Sequence, residues 1–477
     1  MTILASLHDL GIRPISLTSD SRKVTAGSLF VAYPGDAADG RAYIPQAIAN
    51  GAGAVLWEAE DFSWPADLQA VNLPVKDLRK QAGEIADEFY GHPSRALWMV
   101  GVTGTNGKTS CTQWLTHCLN SLQRKTAVIG TLGNGFPGEL ATAINTTPDP
   151  IVLHGLLAEY LKQGAVATAM EVSSHGLDQG RVNGVHFDVA VFTNLTRDHL
   201  DYHGDMDSYA AAKRRLMEWP GLKLAVLNAE DTYGLTFLQA LRSEGRPVLS
   251  YGMQSGDVHC TSLHLHETGM QMSVTTPWGD VTLHAAVMGR FNAYNLLAVL
   301  ATLLAMDVPL EAAAQAIATL KPVPGRMEQY GGNAMPVVVI DYAHTPDALE
   351  NALQALREQT RGKLWCVFGC GGDRDAGKRP MMGAIASRLA DHVVVTSDNP
   401  RSENPDTIIA DITASMGRNH QIMVDRRAAI AHAIEQAAPG DIVLVAGKGH
   451  ETYQEIKGVR HPYSDVDVVT TLLGAVA

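Results

Sequence analysis

From Leu97 onward the chain repeats one pattern: a short apolar run, such as "AVATAMEV" or "FDVAVFTN", then a polar or Gly-rich loop, then an amphipathic stretch. Short apolar runs separated by helical stretches predict strands buried on both faces and joined by crossover helices, hence a mainly parallel sheet. A break at "YGHPSRALW" precedes the pattern, and a second break at "LKPVPGRMEQ" has the Pro and Gly content of a linker. Beyond that linker "PVVVIDYAH", "KLWCVFGCGG", "HVVVTSDNP" and "DIVLVAGKG" predict a second doubly wound sheet. The earlier residues mix short strands with Gly-rich turns, "GSLFVAYPGDAADG" being a strand and then a turn. At 477 residues the chain is too long for one core, and roughly 150 residues per domain gives about three. The fold class is therefore α/β with three domains: an N-terminal α/β domain over 1–95, a central parallel-sheet domain over 96–322 and a C-terminal Rossmann-like domain over 323–477.

Composition removes several function classes. Hydrophobic residues are 46% and charged residues 18%, a globular balance, and no apolar run approaches the ~18 residues that span a bilayer. No membrane insertion is expected, and "MTILASLHDLGIRPISL" lacks the basic and long apolar regions of a signal peptide. The five cysteines are odd in number and lack paired C-x-x-C spacing, which fits a reducing cytoplasm. A net charge of -13 without a basic run argues against nucleic acid as the main partner. In "VHCTSLHLHETGM", alternation puts Leu263 and Leu265 on one face and His264 and His266 on the other, a half-exposed strand more than a metal cluster. Cys111 and Cys118, on a helix with Trp114 and Leu115, are expected in the core.

The strongest local signal is "VTGTNGKTS", between the strand "LWMV" and the helix "CTQWLTHCLNSL". Glycines let successive N–H groups face a phosphate, the helix N-terminus adds its dipole, Lys108 supplies a cation and Thr109 a hydroxyl for magnesium. Val102 stands where the first glycine of G-x-x-x-x-G-K-[ST] would fall, and an ordinary Gly-rich turn with a solvated lysine is the competing reading. Two further strands end in Glu171 and in Asn194, Asp198 and His199. Ligands collect at the carboxyl ends of parallel strands, so Glu171 and His199 are candidate magnesium ligands beside the loop. "DYAHTPDAL" puts Asp341 and His344 at another strand end, with Thr345 as N-cap and Pro346 at N1. "CGGDRDAGKRP" is not a dinucleotide fingerprint.

Taken together, "GTNGKTS", "EVSSHGL", "TNLTRDHLDYHG", "FNAYN", "PGRME", "DYAHTPDAL" and "GKGHE" resemble the ATP-dependent Mur ligases over essentially the whole chain. The front end "SDSRKVTAGSLFVAYPGDAADGRAYIPQAIANGA" resembles the UDP-binding domain of members that add the third residue of the peptidoglycan stem. Folylpolyglutamate synthases share the later domains but resemble the chain poorly before residue 95. The resemblance implies ATP and Mg2+ as cofactors, with UDP-N-acetylmuramoyl-L-alanyl-D-glutamate and meso-diaminopimelate as partners of a monomeric cytoplasmic enzyme. The first domain would then bind the UDP-muramoyl substrate, the central P-loop domain ATP and the third the amino acid. Ser19, Ser21, Asp36, Ala37 and Ala38 would hold the uridine nucleotide; Asn145, Thr146, Thr147, Ser173, Gln179 and Arg181 the muramoyl dipeptide. Gly104, Thr105, Asn106, Gly107, Lys108, Thr109 and Ser110 would hold the ATP phosphates, flanked by Asn292, Asn295, Arg326 and Asp341. Arg374, Asp398, Asn399, Pro400, Arg401, Gly447 and Glu451 would hold the incoming amino acid.

By the same resemblance Lys213 matches a lysine that is carbamylated in the family; carbamylation turns a cation into an anionic oxygen ligand and would add Lys213 to Thr109, Glu171 and His199 around magnesium. Catalytic roles fall to Lys108, Lys213, Glu171 and His199. From residue type alone, Lys213 reads as a helix-surface lysine. In "SDNPRSENP", Pro400 stiffens the loop and Arg401 can pair bidentately with a carboxylate. Diaminopimelate carries one such carboxylate more than lysine. Ser110 and Thr345 stand where the family more often has threonine and asparagine.

Overall fold

The computed structural model describes residues 2–476 apart from 36–37, 267–268, 361 and 418–419. The chain divides into two compact units, 1–103 with 123–191 and 212–225, and 104–122 with 192–211 and 226–477.

The first unit opens with a parallel sheet whose strands Ser16–Thr18, Ser28–Ala32, Ala54–Glu58 and Asn72–Val75 lie side by side in chain order. Alternate residues divide between two cores: Leu29, Val31 and Leu56 pack with Leu78 and Ile85, while Phe30, Val55 and Trp57 pack with Ile44. The helix Leu78–Phe89 starts after Asp77, whose backbone is left-handed (φ 54°) and whose side chain makes no cap. Glu58, ending its strand, caps it instead by accepting from the N–H groups of Leu78 (2.7 Å) and Asp77 (3.2 Å). Further on, Trp98–Thr103, Ala167–Glu171 and Thr126–Gly130 form adjacent parallel strands, continued antiparallel by Gly133–Phe136 and Glu139–Ala141.

The second unit holds a six-stranded sheet in the order Glu328–Gly331, Val337–Asp341, Ile442–Ala446, Leu364–Phe368, His392–Val395, His420–Ile422. The first pair is antiparallel and the rest parallel. Val339, Leu444 and Cys366 face one buried cluster, and Val338, Ile340, Val443, Val445 and Val367 the other. Four of the six strands are the runs expected from the sequence; the two edge strands are half-exposed and carry no comparable apolar signal. The same unit contains an antiparallel ribbon, Val258–His266, Gly269–Thr276 and Gly279–Ala285. Its first strand has the expected alternation, His264 and His266 being exposed and Leu263 and Leu265 half-buried. Cys111 and Cys118 are fully buried.

Candidate active site

In the second unit the helix Lys108–Ser121 begins directly after Gly107 (φ 88°), which offers no side-chain cap; a helix N-terminus opening from a Gly-rich loop is the geometry that suits a phosphate. The loop before it is pinned through its backbone: Thr105 N–H donates to the Asn194 carbonyl (2.8 Å), Asn106 N–H to Asn194 Oδ1 (2.9 Å), and Thr193 Oγ1 to the Asn106 carbonyl (2.6 Å). Glycine is required at two points. A Cβ on Gly104 would sit 1.8 Å from Thr193 Oγ1, and one on Gly107 2.4 Å from Asn295 Oδ1. Lys108 Nζ donates to the Gly104 and Thr105 carbonyls at 2.8 and 2.9 Å, which holds the ammonium across the loop. The solvated-lysine alternative does not describe this arrangement.

Asn295 Nδ2 donates to Asn292 Oδ1 (3.0 Å), and Asn292 Nδ2 donates to the Met288 carbonyl (2.7 Å). Arg326 reaches the loop itself, donating to Thr109 Oγ1 at 3.2 Å while its guanidinium lies 4.3 Å from the centre of the Tyr342 ring. The linker that carries Arg326 is also tied down at Lys321, whose carbonyl accepts from Trp114 Nε1 at 3.0 Å. Asp341 accepts from Met327 N–H (2.8 Å); burial raises its pKa, and the charge of Arg326 opposes that rise. Thr345 caps the helix Pro346–Gln359 by accepting from Ala348 N–H, with Pro346 at its start. Asn106 donates to Asp347 on that helix at 2.9 Å.

His199 sits at φ 55°, its Nε2 3.3 Å from Asp198. Burial alone would raise the Asp198 pKa. The His344 and His199 imidazoles and the Lys378 ammonium, at 3.8, 3.3 and 3.7 Å, hold it well below the ordinary value.

The first unit carries the residues assigned to the UDP-muramoyl dipeptide. Leu17, Thr18, Ser19, Lys23, Tyr90 and Ile151 line a cavity of about 220 Å³. Ser21 is buried and donates to Gln46 Oε1 (2.8 Å), and Ala38 is exposed. Asp36 and Ala37 lie outside the described residues. Thr147 accepts from Ser173 N–H at 3.0 Å, Arg181 donates to the Thr147 carbonyl at 3.0 Å, and Thr146 Oγ1 lies 3.0 Å from Thr131 Oγ1. Asn145 is exposed and Gln179 ends the short helix that Ser173 caps. Thr131 orients the buried Glu171, donating to Oε1 from its N–H (2.8 Å) and to Oε2 from its hydroxyl (3.0 Å). Lys213 is only 1% exposed, which corrects the surface reading of that residue; the sequence periodicity of one helix does not say what packs over it.

The third group converges at the carboxyl ends of the six-stranded sheet. Asp398 and Asn399 are buried, and Gly447 (φ 114°) passes so close to Asp398 that a Cβ would lie 2.7 Å from its Oδ2. Arg401 is left-handed (φ 52°); its Nη1 donates to the Gly372 carbonyl at 2.8 Å, and its backbone bridges Glu455 and Lys457. Arg374 is exposed and donates to the Asp373 carbonyl (3.0 Å), making no hydrogen bond or ion pair with the Asp398–Arg401 loop among the described residues. Several residues here lie within the quoted motifs but had no role assigned from the sequence. Lys448 is fully buried between Asn399 and Glu451. His450 is held neutral to a pKa of about 3, by burial and then by the charges of Arg326 and Lys448. Arg197 forms a two-point ion pair with Asp375 at 3.0 and 3.1 Å.

Comparison with known proteins matches three families: the Mur ligase family, catalytic domain, at residues 16–90, the Mur ligase middle domain at 102–303, and the Mur ligase, glutamate ligase domain at 325–449. The chain is 53% identical to the UDP-N-acetylmuramoyl-L-alanyl-D-glutamate--2,6-diaminopimelate ligase of Chromobacterium violaceum, over 99% of this chain and 96% of that one. It is similar to a solved structure of an enzyme of the same name, with 38% identity, a TM-score of 0.69 and coverage of 97% and 95%. A folylpolyglutamate synthase from Mycobacterium tuberculosis shares the fold at 18% identity and a TM-score of 0.66, over 82% of this chain and 94% of that one.

Proposed function

The chain belongs to the Mur ligase family, and on that premise we propose that it joins diaminopimelate to UDP-N-acetylmuramoyl-L-alanyl-D-glutamate in an ATP-dependent step of peptidoglycan precursor synthesis. The observation that carries this is 53% identity to a diaminopimelate ligase along 99% of the chain. The reaction makes a carbon–nitrogen bond and releases ADP and phosphate.

A carboxylate is a poor electrophile, so it must be activated. The D-glutamyl γ-carboxylate attacks the γ-phosphate of ATP, giving an acyl phosphate and ADP. An unprotonated amine of diaminopimelate then attacks the acyl carbon, and the tetrahedral intermediate expels phosphate. Lys108, the N–H groups of Gly104–Ser110 and the helix behind them stabilise charge on the transferring phosphoryl group, and Arg326 adds a second cation. Asn292, Asn295 and Asp341 flank the nucleotide. Glu171, Thr109 and His199 offer the hard oxygen and imidazole donors that magnesium accepts, joined by Lys213 once carbamylated. The ion would supply charge neutralisation of the phosphates.

Residues 1–95 then serve the UDP-muramoyl substrate through Ser19, Ser21 and the 36–38 loop, 96–322 serve ATP, and 323–477 serve the amino acid through Asp398–Arg401, Gly447 and Glu451. Asn145, Thr146, Thr147, Ser173, Gln179 and Arg181 hold the dipeptide. Closure about the 321–326 linker assembles these groups. No helix of the described residues is long and apolar enough to cross a membrane; a cytoplasmic monomer is the setting we propose. Phosphate release by the purified protein tests the reading: it should require the UDP-dipeptide and diaminopimelate together, whereas substrate-independent hydrolysis would refute it.

A further inference from the structure

Lys448 is 0% exposed, its ammonium sealed away from solvent. It donates to Asn399 Oδ1 (3.0 Å) and to Glu451 Oε2 (2.8 Å), and it lies 5.7 Å from the centre of the Tyr453 ring. Asn399 Nδ2 donates to the same Glu451 oxygen at 2.8 Å, and Glu455 N–H donates to Asn399 Oδ1 at 2.9 Å. Counting partners settles what is left over. Asn399 Oδ1 has two donors, so its amide has one orientation. Glu451 Oε2 also has two, and Glu451 Oε1 takes no hydrogen bond from any described residue.

We propose that Lys448 is a positioning residue for substrate choice: it holds Glu451 and Asn399 so that Glu451 Oε1 receives the non-reacting ammonium of the incoming amino acid. The inference rests on the proposed function. The amine that attacks the acyl phosphate must be unprotonated, so a carboxylate built to accept from an ammonium reads the other amine of a diamino acid. A carboxylate held at a half-buried site beside a fully buried lysine needs that lysine's charge to offset its partial desolvation, and Lys448 supplies it from the side opposite the free oxygen. Arg401, bonded to Gly372, is left to read the carboxylate at the same end of the molecule.

The test compares meso-diaminopimelate with 2-aminopimelate, which lacks the second amine, as the ratio of their kcat/KM values. Lys448→Met should lower the wild-type preference at least about tenfold, with the KM for ATP within about twofold of wild type. Lys448 acts through Glu451, so the same substitution in a Glu451→Ala background should shift the preference less than about twofold. That background also lacks the uncompensated carboxylate, and Lys448→Gln serves as a milder variant should the methionine variant not fold. A preference that survives Lys448→Met or Lys448→Gln, or a loss in which the ATP KM rises in step, would overturn the inference while leaving the ligase reading intact. A wild-type protein that turns over neither compound would instead refute the ligase reading, and the inference with it.

Discussion

Replacing Arg401 by alanine removes a guanidinium whose surroundings define what it can do. Its Nη1 is engaged with the Gly372 carbonyl at 2.8 Å, its nearest carboxylate, Glu455, is 4.0 Å from Nε, and the side chain is about one-fifth exposed. The fork is therefore held in place without being neutralised by a close partner. A charge-assisted pair at a partly exposed site contributes about 3 kcal/mol, which converts to roughly 10²-fold in the KM for diaminopimelate. Arg401→Lys keeps the charge without the planar fork and should lose about tenfold. The left-handed φ of 52° is a cost arginine already bears through its Cβ, so alanine there adds no backbone penalty that would confuse the substrate readout. Arg401 makes no contact with Gly104–Ser110 among the described residues, so the KM for ATP should move less than about twofold. The assay is steady-state phosphate release with diaminopimelate varied at saturating ATP and UDP-dipeptide, repeated with ATP varied. A KM for diaminopimelate within threefold of wild type would refute the argument and return Arg401 to a structural role in its turn.

Lys213→Ala should reduce turnover by at least about 10²-fold, and bicarbonate or a short carboxylic acid should restore part of it if the missing group is a carbamate; a folded variant rescued by neither would leave the carbamate without support. His450 is half-buried and neutral, its folded pKa of about 3 lying below the ordinary 6.5, so the unfolded chain takes up a proton first as pH falls. Its contribution to stability is intact above about 6.5 and declines from there towards 3, by roughly 1–2 kcal/mol at pH 5. Chemical denaturation of wild type and His450→Gln should accordingly show the glutamine variant gaining relative stability between pH 8 and pH 5, and a constant difference would contradict it. Small-angle scattering should show compaction when an ATP analogue and both other substrates are added together, and an unchanged radius of gyration would count against closure about the linker.

The parts of the site legible in the sequence are those whose geometry is local. Gly104, Gly107 and Lys108 fall within one strand–loop–helix, and Thr345–Pro346 caps a helix through a bond between residues three apart. The central strands of the six-stranded sheet announce themselves because both faces are buried. Its edges, Glu328–Gly331 and His420–Ile422, do not, since a half-exposed strand can be polar. The remainder depends on contacts between distant segments. Lys448 meets Asn399 across 49 residues, and Arg197 meets Asp375 across 178. No periodicity distinguishes a buried lysine such as Lys448 or Lys213 from a solvated one. Arg401 was legible as a residue type, but its left-handed backbone was not, because that conformation is imposed by the Glu455–Lys457 segment bridged to it.

The most direct measurement gives the purified protein ATP, UDP-N-acetylmuramoyl-L-alanyl-D-glutamate and equal amounts of meso-diaminopimelate and L-lysine, and identifies the nucleotide-linked product by mass spectrometry. The account predicts the diaminopimelate adduct in large excess, formed together with ADP and phosphate. A predominant lysine adduct, or ATP hydrolysis with no adduct, would contradict it.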